Sequence, residues 1–250
     1  MFSAAERAQF NRDGYIVVRT LAAAGDCAAI RTIAERDLAA AVPPVEYEAD
    51  TRYPGAPVSH DAPGGRTVRR LLQACARDPL IERWAVQPAI AGRLQQLIAP
   101  RVELSQAHHN CVMTKNPSYS SVTNWHQDIR YWSFERPELI SVWLALGREY
   151  FENGCLLVLP GSHAMDFAPG QFDENLFLRP DVEASKPLIR TQRRVELEPG
   201  DVLFFHCRLF HAAGHNQTAR TKFSLVFTYH AADNHPLPGT RSASLPDIPL

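Results

Sequence analysis

Residues 221–230 read TKFSLVFTYH, and this stretch sets the expectation for the fold. Phe223, Leu225, Phe227 and Tyr229 alternate along it with smaller side chains. A period of two is typical of a β-strand, because successive side chains of a strand point to opposite faces. The stretch therefore predicts a β-strand near the C-terminal end of the chain.

Similar short runs with the pattern of β-strands recur from about residue 101 onward. Turn signals such as Asn153-Gly154, Pro160-Gly161 and Pro199-Gly200 separate the apolar runs. Many short strands without intervening helices favour a sandwich or jelly roll over a parallel α/β sheet. Residues 165–192 are less regular and are predicted to form an insertion between strands. The predicted β-rich runs are 101–114, 139–147, 155–159, 193–198, 201–206 and 221–230.

The first hundred residues are predicted to be mainly helical and to support that β-rich part. Ser3-Ala-Ala-Glu6 has the form of a capping box, in which two side chains satisfy free backbone N–H groups at a helix start. Pro79 and Pro88 are expected to break or start helices. The expected elements are a strand at 14–18, a helix at 24–41, a Pro- and Gly-rich loop at 42–66 and helical segments within 68–98.

The composition predicts a globular enzyme-sized domain with a small-molecule partner. The chain has 250 residues, 45% of them hydrophobic and 21% charged, with a net charge of −1. This balance gives no global attraction to nucleic acid or to an anionic membrane. No run of about 18 apolar residues is present, so no membrane span is expected. The N-terminus lacks a signal-peptide pattern, and we expect a cytoplasmic protein.

Domain organisation and cysteine usage are also simple. No flexible linker separates the two halves, so residues 1–250 are predicted to form a single domain. Within it, 1–100 are the mainly helical support, 101–232 the β-rich core and 233–250 a C-terminal tail. The five cysteines are dispersed and form no C-x-x-C pair, so neither a disulfide framework nor a zinc site is expected. Reduced, buried thiols are the expectation instead.

The segments WHQD at 125–128 and HCRLFHAAGHN at 206–216 contain candidate metal ligands. His126 and Asp128 are two residues apart, so in a strand both side chains point to the same side and reach one metal ion. His211 is the best candidate for a second imidazole. Two histidines and one carboxylate on one face of octahedral Fe(II) leave three positions open. A 2-oxo acid fills two of these positions and O₂ the third.

Three sequence blocks together resemble the phytanoyl-CoA dioxygenase family of Fe(II)/2-oxoglutarate oxygenases. They are WHQD at 125–128, ENGCLLVLPGSH at 152–163, and GDVLFFH followed by HxxGxN at 200–216. The resemblance covers roughly residues 105–230, with a weaker match near the N-terminus. It implies a mainly β fold, the double-stranded β-helix, a cupin-like jelly roll with N-terminal helices packed on it. It also implies Fe(II), 2-oxoglutarate and O₂ as cofactors, and His126, Asp128 and His211 as the metal ligands.

The co-substrate anchor departs from the family pattern. The family usually places an arginine eleven residues after the distal histidine, and Lys222 stands there in this chain. Arg220, on the same face of the predicted strand, is the alternative anchor for the distal carboxylate of 2-oxoglutarate. Ser224 is placed to donate its hydroxyl to that carboxylate. Gln127 and Trp143 match family positions near the co-substrate, although Trp143 is equally suited to the core.

The remaining histidines are expected to be structural. The resemblance places His206 outside the metal shell and His163 in a turn at the rim of the site. His108 and His109 are adjacent, so they face opposite sides of a strand and only one can line the pocket. Asp128 carries a further implication, because related halogenating enzymes lack this carboxylate and let chloride take its place. Its presence favours hydroxylation, or another C–H oxidation, over halogenation.

The expected activity is hydroxylation of an unactivated C–H bond with release of succinate and CO₂. Two alternatives stay open: a cupin-like metal-dependent isomerase or hydrolase, and a non-catalytic metal-binding module. The loops 42–66 and 165–192 are rich in cations, which would favour a polar or anionic substrate, such as a sugar acid or amino acid derivative, if they converge. Otherwise they are solvated surface charges. These cations are Arg52, His60, Arg66, Arg179, Lys186 and Arg190, with Arg69, Arg70, Arg193 and Arg194 nearby.

Overall fold

A computed structural model describes residues 1–51 and 53–250. The helices are α1 (Ala4–Asp13), α2 (Ala24–Ala39), α3 (Pro79–Val86), α4 (Pro88–Leu97) and α5 (Lys186–Ile189). The strands are β1 (Tyr15–Val18), β2 (Val45–Tyr47), β3 (Val68–Leu72), β4 (Val102–Lys115), β5 (Thr123–His126), β6 (Leu139–Ala145), β7 (Leu156–Val158), β8 (Arg193–Val195), β9 (Val202–His206), β10 (His211–Ala213), β11 (Lys222–Ala231) and β12 (Ile248–Pro249).

Two antiparallel sheets form the framework of the molecule. The large sheet has the order β1-β9-β6-β11-β4-β3-β2, with β12 paired to β4, and the small sheet has the order β5-β10-β7-β8. Most neighbouring strands are not consecutive in the chain, as in a jelly roll, the exceptions being β2-β3-β4 and β7-β8. The expected double-stranded β-helix is confirmed, and the six β-rich runs correspond to β4, β6, β7, β8, β9 and β11.

The large sheet separates two apolar layers, and the alternation in the sequence assigns side chains to them. On β6, Val142 and Leu144 belong to the core shared with the helices. Trp143 and Ala145 point the other way and pack with Val158 and other apolar residues of the small sheet. One strand therefore holds the helical layer on one face and the second sheet on the other, with the site between the sheets.

The N-terminal helices begin as the sequence predicts. Ser3 and Glu6 form the capping box, with Glu6 N donating to Ser3 Oγ at 3.2 Å and Ser3 N donating to Glu6 Oε2 at 2.7 Å. Helices α3 and α4 start at Pro79 and Pro88, where a missing N–H costs nothing. The five cysteines are free and buried, as expected.

The structure differs from the sequence prediction at residues 68–72. Val68, Leu71 and Leu72 have the i, i+3, i+4 spacing of a helix, yet these residues form strand β3. Pairing with β4, in which Leu71 lies opposite Val112, outweighs the helical spacing. The loop 42–66 likewise contains β2 and a 3₁₀ turn at Glu48–Asp50. Among the described residues no helix is both long and apolar enough to cross a membrane.

Candidate active site

His126, Asp128 and His211 converge in the cleft between the sheets. The antiparallel pairing of β5 with β10 puts His126 directly opposite His211. Asp128 Oδ1 lies 3.8 Å from His126 Nε2 and 3.7 Å from His211 Nε2. One donor atom from each residue lies within 4.8 Å of the other two, and all three residues are buried. Strand β5 ends at His126, and Asp128 begins the 3₁₀ turn Asp128–Tyr131 rather than continuing the strand.

Backbone carbonyls orient both imidazoles. His126 Nδ1 lies 2.9 Å from the carbonyl oxygen of Asn124, and His211 Nδ1 lies 3.1 Å from that of Leu209. A carbonyl oxygen only accepts, so each Nδ1 carries the proton and each Nε2 presents a lone pair towards Asp128. Burial lowers the pKa of His126 well below its usual value, so the imidazole stays neutral. This is the form in which histidine binds a metal.

Asp128 shows that the cluster suits a cation. Its Oδ2 atom is buried without a hydrogen-bond partner among the described residues. Burial raises the pKa of its carboxyl group, because the charged form has lost water without gaining a full counter-charge. A divalent cation bound by Asp128 and the two Nε2 lone pairs would remove this deficit. Two imidazoles with one carboxylate are also the donor set associated with non-haem Fe(II).

His109 places a third imidazole beside the cluster. Its Nε2 lies 3.7 Å from Asp128 Oδ1, and its Nδ1 lies 3.2 Å from Ser141 Oγ. His108 points the other way, where its Nε2 lies 2.7 Å from Ser242 Oγ. The prediction that adjacent histidines face opposite sides holds, and His109 is the one that lines the cavity.

The cleft beside the two imidazoles is a small-molecule cavity with a cationic lining. It contains about 590 Å³ of space free of protein atoms, part of it open to solvent. Four side chains with basic groups reach it: Arg69, Arg70, Lys115 and Lys222. The cavity is therefore suited to an anionic ligand next to the triad.

Three of the residues expected at the co-substrate site converge on one buried carboxylate, that of Glu149. Lys222 Nζ lies 3.0 Å from Glu149 Oε2. Ser224 Oγ and Trp143 Nε1 donate to Glu149 Oε1 at 2.7 and 3.0 Å. Lys222 and Trp143 also line the cavity. Sequence reasoning did not single out Glu149, because its role depends on the fold bringing it to β11.

The other two predicted co-substrate residues lie elsewhere. Arg220 precedes β11 and is exposed to solvent, away from the residues that line the cavity. Gln127 is buried, but its side chain donates to the carbonyl of Arg208 and accepts from Arg130 Nε at 2.9 Å. Because Gln127 lies between His126 and Asp128, its side chain points away from the cleft that they share.

Aromatic side chains surround the triad on its other side. Phe177 and Tyr131 have ring centroids 6.0 and 6.2 Å from that of His126. Tyr53 contacts Phe177 at 5.4 Å, and Trp132 contacts His109 at 5.1 Å. Tyr53 comes from the loop 42–66 and Phe177 from the insertion 165–192. The two segments expected to wall the site therefore meet beside it.

The loop cations mostly pair with neighbouring carboxylates at the surface. His60 lies 2.6 Å from Asp50, and Arg179 lies 2.6 Å from Asp181. Arg52 lies outside the described residues, and Arg66, Arg190, Arg193 and Arg194 are exposed. Of the loop cations that the structure describes, only Arg69 and Arg70 reach the cavity. They do so because 68–72 is a strand rather than a helix, so no sequence signal placed them there.

The remaining histidines lie outside the cluster. The rings of His206 and His163 lie 5.4 Å apart at an angle of 50°, and both residues line a separate pocket near α1. His230 contacts Asp247 at 3.2 Å, and His215 is exposed. None of these four joins the group formed by His126, Asp128 and His211.

Comparisons with known proteins identify the family of the chain. The model of the phytanoyl-CoA dioxygenase (PhyH) family matches residues 10–224. A probable phytanoyl-CoA dioxygenase from Caenorhabditis elegans is 30% identical over 158 residues, which are 59% of this chain and 49% of that protein. The chain thus spans about half the length of that relative. The ectoine dioxygenase of Sphingopyxis alaskensis is 26% identical over 249 residues, covering 93% of this chain and 77% of its own.

Among solved structures, the α-ketoglutarate-dependent epimerase SnoN from nogalamycin biosynthesis has the same fold. It superposes with a TM-score of 0.73 at 23% identity, over 94% of this chain and 84% of its own. Proteins of the matched family use Fe(II), 2-oxoglutarate and O₂. The chain belongs to the phytanoyl-CoA dioxygenase family of Fe(II)- and 2-oxoglutarate-dependent oxygenases.

Proposed function

We propose that this protein hydroxylates an unactivated C–H bond of a small polar or anionic molecule, with conversion of 2-oxoglutarate to succinate and CO₂. The observation that carries the proposal is the convergence of His126, Asp128 and His211, with both Nε2 lone pairs directed at one carboxylate. His126, Asp128 and His211 would hold Fe(II), which together with bound 2-oxoglutarate supplies the activation of O₂ needed to oxidise an inert C–H bond.

The residues of the chain orient the metal ligands and restrict water. The carbonyls of Asn124 and Leu209 hold the imidazoles in one tautomer. Phe177, 2% exposed, covers His126 and limits the access of bulk water to the metal side of the cleft. The carboxylate of Asp128 occupies the ligand position that halogenating relatives leave to chloride, which supports hydroxylation.

A polar substrate with a ring or carbon face suits the surroundings of the triad. Tyr53, Tyr131 and Trp132 provide flat surfaces beside the metal ligands, and aromatic faces pack well against the C–H face of a sugar or a similar ring. Arg69 and Arg70 line the same cavity, and their Nε atoms, buried without a hydrogen-bond partner among the described residues, can donate to a polar or anionic group. A sugar acid or an amino acid derivative combines both properties.

The test is metal and 2-oxoglutarate dependence in matched variants. The wild-type protein, loaded anaerobically with Fe(II), is expected to convert 2-oxoglutarate to succinate when O₂ is admitted, and faster with a substrate. Asp128→Ala should lose Fe(II) binding and succinate release together. His206→Gln is the control, because His206 is also largely buried but lies in a separate pocket. Equal succinate release by wild type and Asp128→Ala would contradict the proposal.

A metal-dependent isomerase or hydrolase is the second candidate, and His109 is the observation that favours it. A third imidazole 3.7 Å from Asp128 Oδ1 would fill a coordination position that a 2-oxo acid needs. This candidate predicts metal binding without any metal-dependent affinity for 2-oxoglutarate. Metal analysis combined with succinate measurement separates the two candidates.

A further inference from the structure

The charge at the family's usual anchor position is already neutralised in this protein. Lys222 and Glu149 form an ion pair whose side chains are 3% and 1% exposed. Ser224 and Trp143 complete the hydrogen bonding of the same carboxylate. An anion that approached Lys222 would therefore meet Glu149 as well, and the two negative charges would repel each other.

Lys115 lies directly across from Lys222 and has no such partner. The two residues face each other in the pairing of β4 with β11, which brings their side chains to the same side of the sheet. Lys115 is 8% exposed, and its Nζ donates to the carbonyl oxygen of Ser121 at 3.0 Å. Within residues 1–51 and 53–250, no carboxylate lies within 4.0 Å of this ammonium group.

The fold holds the Lys115 side chain in the cavity. Ser121, its acceptor, is itself fixed by a hydrogen bond from its N–H to Glu48 at 3.2 Å and by Arg69, which donates to its hydroxyl at 2.5 Å. The stem of Lys115 passes Gly154, where a Cβ atom would lie 2.8 Å from Lys115 Cδ. One acceptor leaves two of the three N–H groups of the ammonium free for another ligand.

The charged side chains around the cavity leave a net positive charge that complements the negative charge of the co-substrate. Four cations, Arg69, Arg70, Lys115 and Lys222, line it. Three carboxylates pair with them: Glu46 with both arginines, Glu48 with Arg69, and Glu149 with Lys222. With all four cations protonated, one positive charge is left, and it is that of Lys115. Fe(II) with Asp128 would add one more, so a dianion such as 2-oxoglutarate brings the site to neutrality. Burial and the charges of Arg69 and Lys222 lower the pKa of Lys115 well below its usual value, and an anion bound beside it would favour its charged form.

We propose that Lys115 supplies the charge that binds the distal carboxylate of 2-oxoglutarate, and that Lys222 is a positioning residue held in place by Glu149. This inference rests on the proposed function. It moves the anchor from β11 to the neighbouring strand, β4. Lys222 shapes the wall of the cavity, and Lys115 makes the contact with the carboxylate.

The experiment compares two keto acids in Mn(II)-loaded protein by isothermal titration calorimetry without O₂. 2-Oxopentanoate has the same carbon chain as 2-oxoglutarate but lacks the distal carboxylate. In Lys115→Met we expect 2-oxoglutarate to bind about 100-fold more weakly, with the affinity for 2-oxopentanoate unchanged. The matched control is the double variant Lys222→Met/Glu149→Gln, which removes both charges of the ion pair and should still prefer 2-oxoglutarate.

Each outcome decides between the alternatives. Loss of the preference in the double variant, with its retention in Lys115→Met, would assign the anchor to Lys222 and overturn the inference. If wild type binds Mn(II) but shows no metal-dependent affinity for 2-oxoglutarate, the proposed function itself fails. Lys115→Gln provides a second neutral variant that still donates to Ser121. Thermal unfolding of the variants separates loss of binding from loss of folding, since removing an uncompensated buried charge should not lower Tm.

Discussion

Replacing Glu149 by glutamine is the sharpest test of the electrostatics around Lys222. The substitution keeps the size of the side chain and removes its charge. Lys222 would then be a buried cation without a counter-charge, because its side chain is 3% exposed and Glu149 is its ion-pair partner. Breaking a buried ion pair on one side costs about 3–5 kcal/mol. For a chain of this size that corresponds to a fall in Tm of roughly 10 °C.

The assay is urea unfolding in the presence of EDTA, so that metal binding does not contribute to the free energy of unfolding. Lys222→Met is expected to be similarly destabilised, because it leaves the Glu149 carboxylate without its cation. The double variant Lys222→Met/Glu149→Gln should lose less than the sum of the two single variants by about 2 kcal/mol or more.

Two results would refute this reasoning. The first is a Glu149→Gln variant whose free energy of unfolding stays within about 1 kcal/mol of wild type. The second is strict additivity in the double variant, which would mean that Glu149 and Lys222 contribute independently. Either result would leave Lys222 available as an ordinary co-substrate anchor.

Two further predictions concern contacts that hold other segments to the large sheet. Burial alone would lower the pKa of His230, but its hydrogen bonds to Asp247 and Ala231, with the charge of Glu103, raise it above the usual value. The imidazolium therefore stabilises the fold below about pH 6.5 and loses this effect as the pH rises through the raised pKa. Asp247→Asn should cost about 2 kcal/mol in urea unfolding at low pH and progressively less at higher pH; a difference independent of pH would contradict this. Tyr229→Phe removes the hydrogen bond from its buried hydroxyl to the α3 carbonyl at 2.8 Å and should cost about 1–2 kcal/mol, measured by the same assay, with an unchanged stability counting against it.

Local patterns predicted much of the framework. The alternation in 221–230 identified β11, and the capping box at Ser3 identified the start of α1. Both signals arise from the period and chemistry of one segment, so they need no knowledge of partners. The prediction for residues 68–72 was wrong for the opposite reason. Their spacing suits a helix, and only the register with β4, a strand more than thirty residues further on, makes them a strand.

The convergence of His126, Asp128 and His211 was predictable from the local spacing of two of them and from the restricted set of side chains that bind metals. His126 and Asp128 are two residues apart, and His211 lies in a block whose residues match the family in order. The details of the backbone differ, since Asp128 begins a 3₁₀ turn instead of continuing the strand. His109 and the aromatic wall formed around Phe177 could not be inferred in the same way, because they reach the cluster through packing between segments.

The co-substrate anchor shows what cannot be inferred by matching residue positions to the family pattern. The number of residues after His211 identifies the position of a cation in the sequence. Whether that cation can bind the co-substrate depends on which carboxylate the fold brings next to it. Glu149 reaches Lys222 because it follows β6, whose last residue, Ala145, lies opposite Ser224 of β11. The register of β4 with β11 then sets Lys115 opposite, as a buried cation without a carboxylate among the described residues. This explains why lysine can replace arginine at the family position. An arginine there would bind the carboxylate of the co-substrate through two parallel hydrogen bonds. Lys222 is engaged by Glu149 instead and does not need this geometry, because the unpaired charge is that of Lys115 on β4.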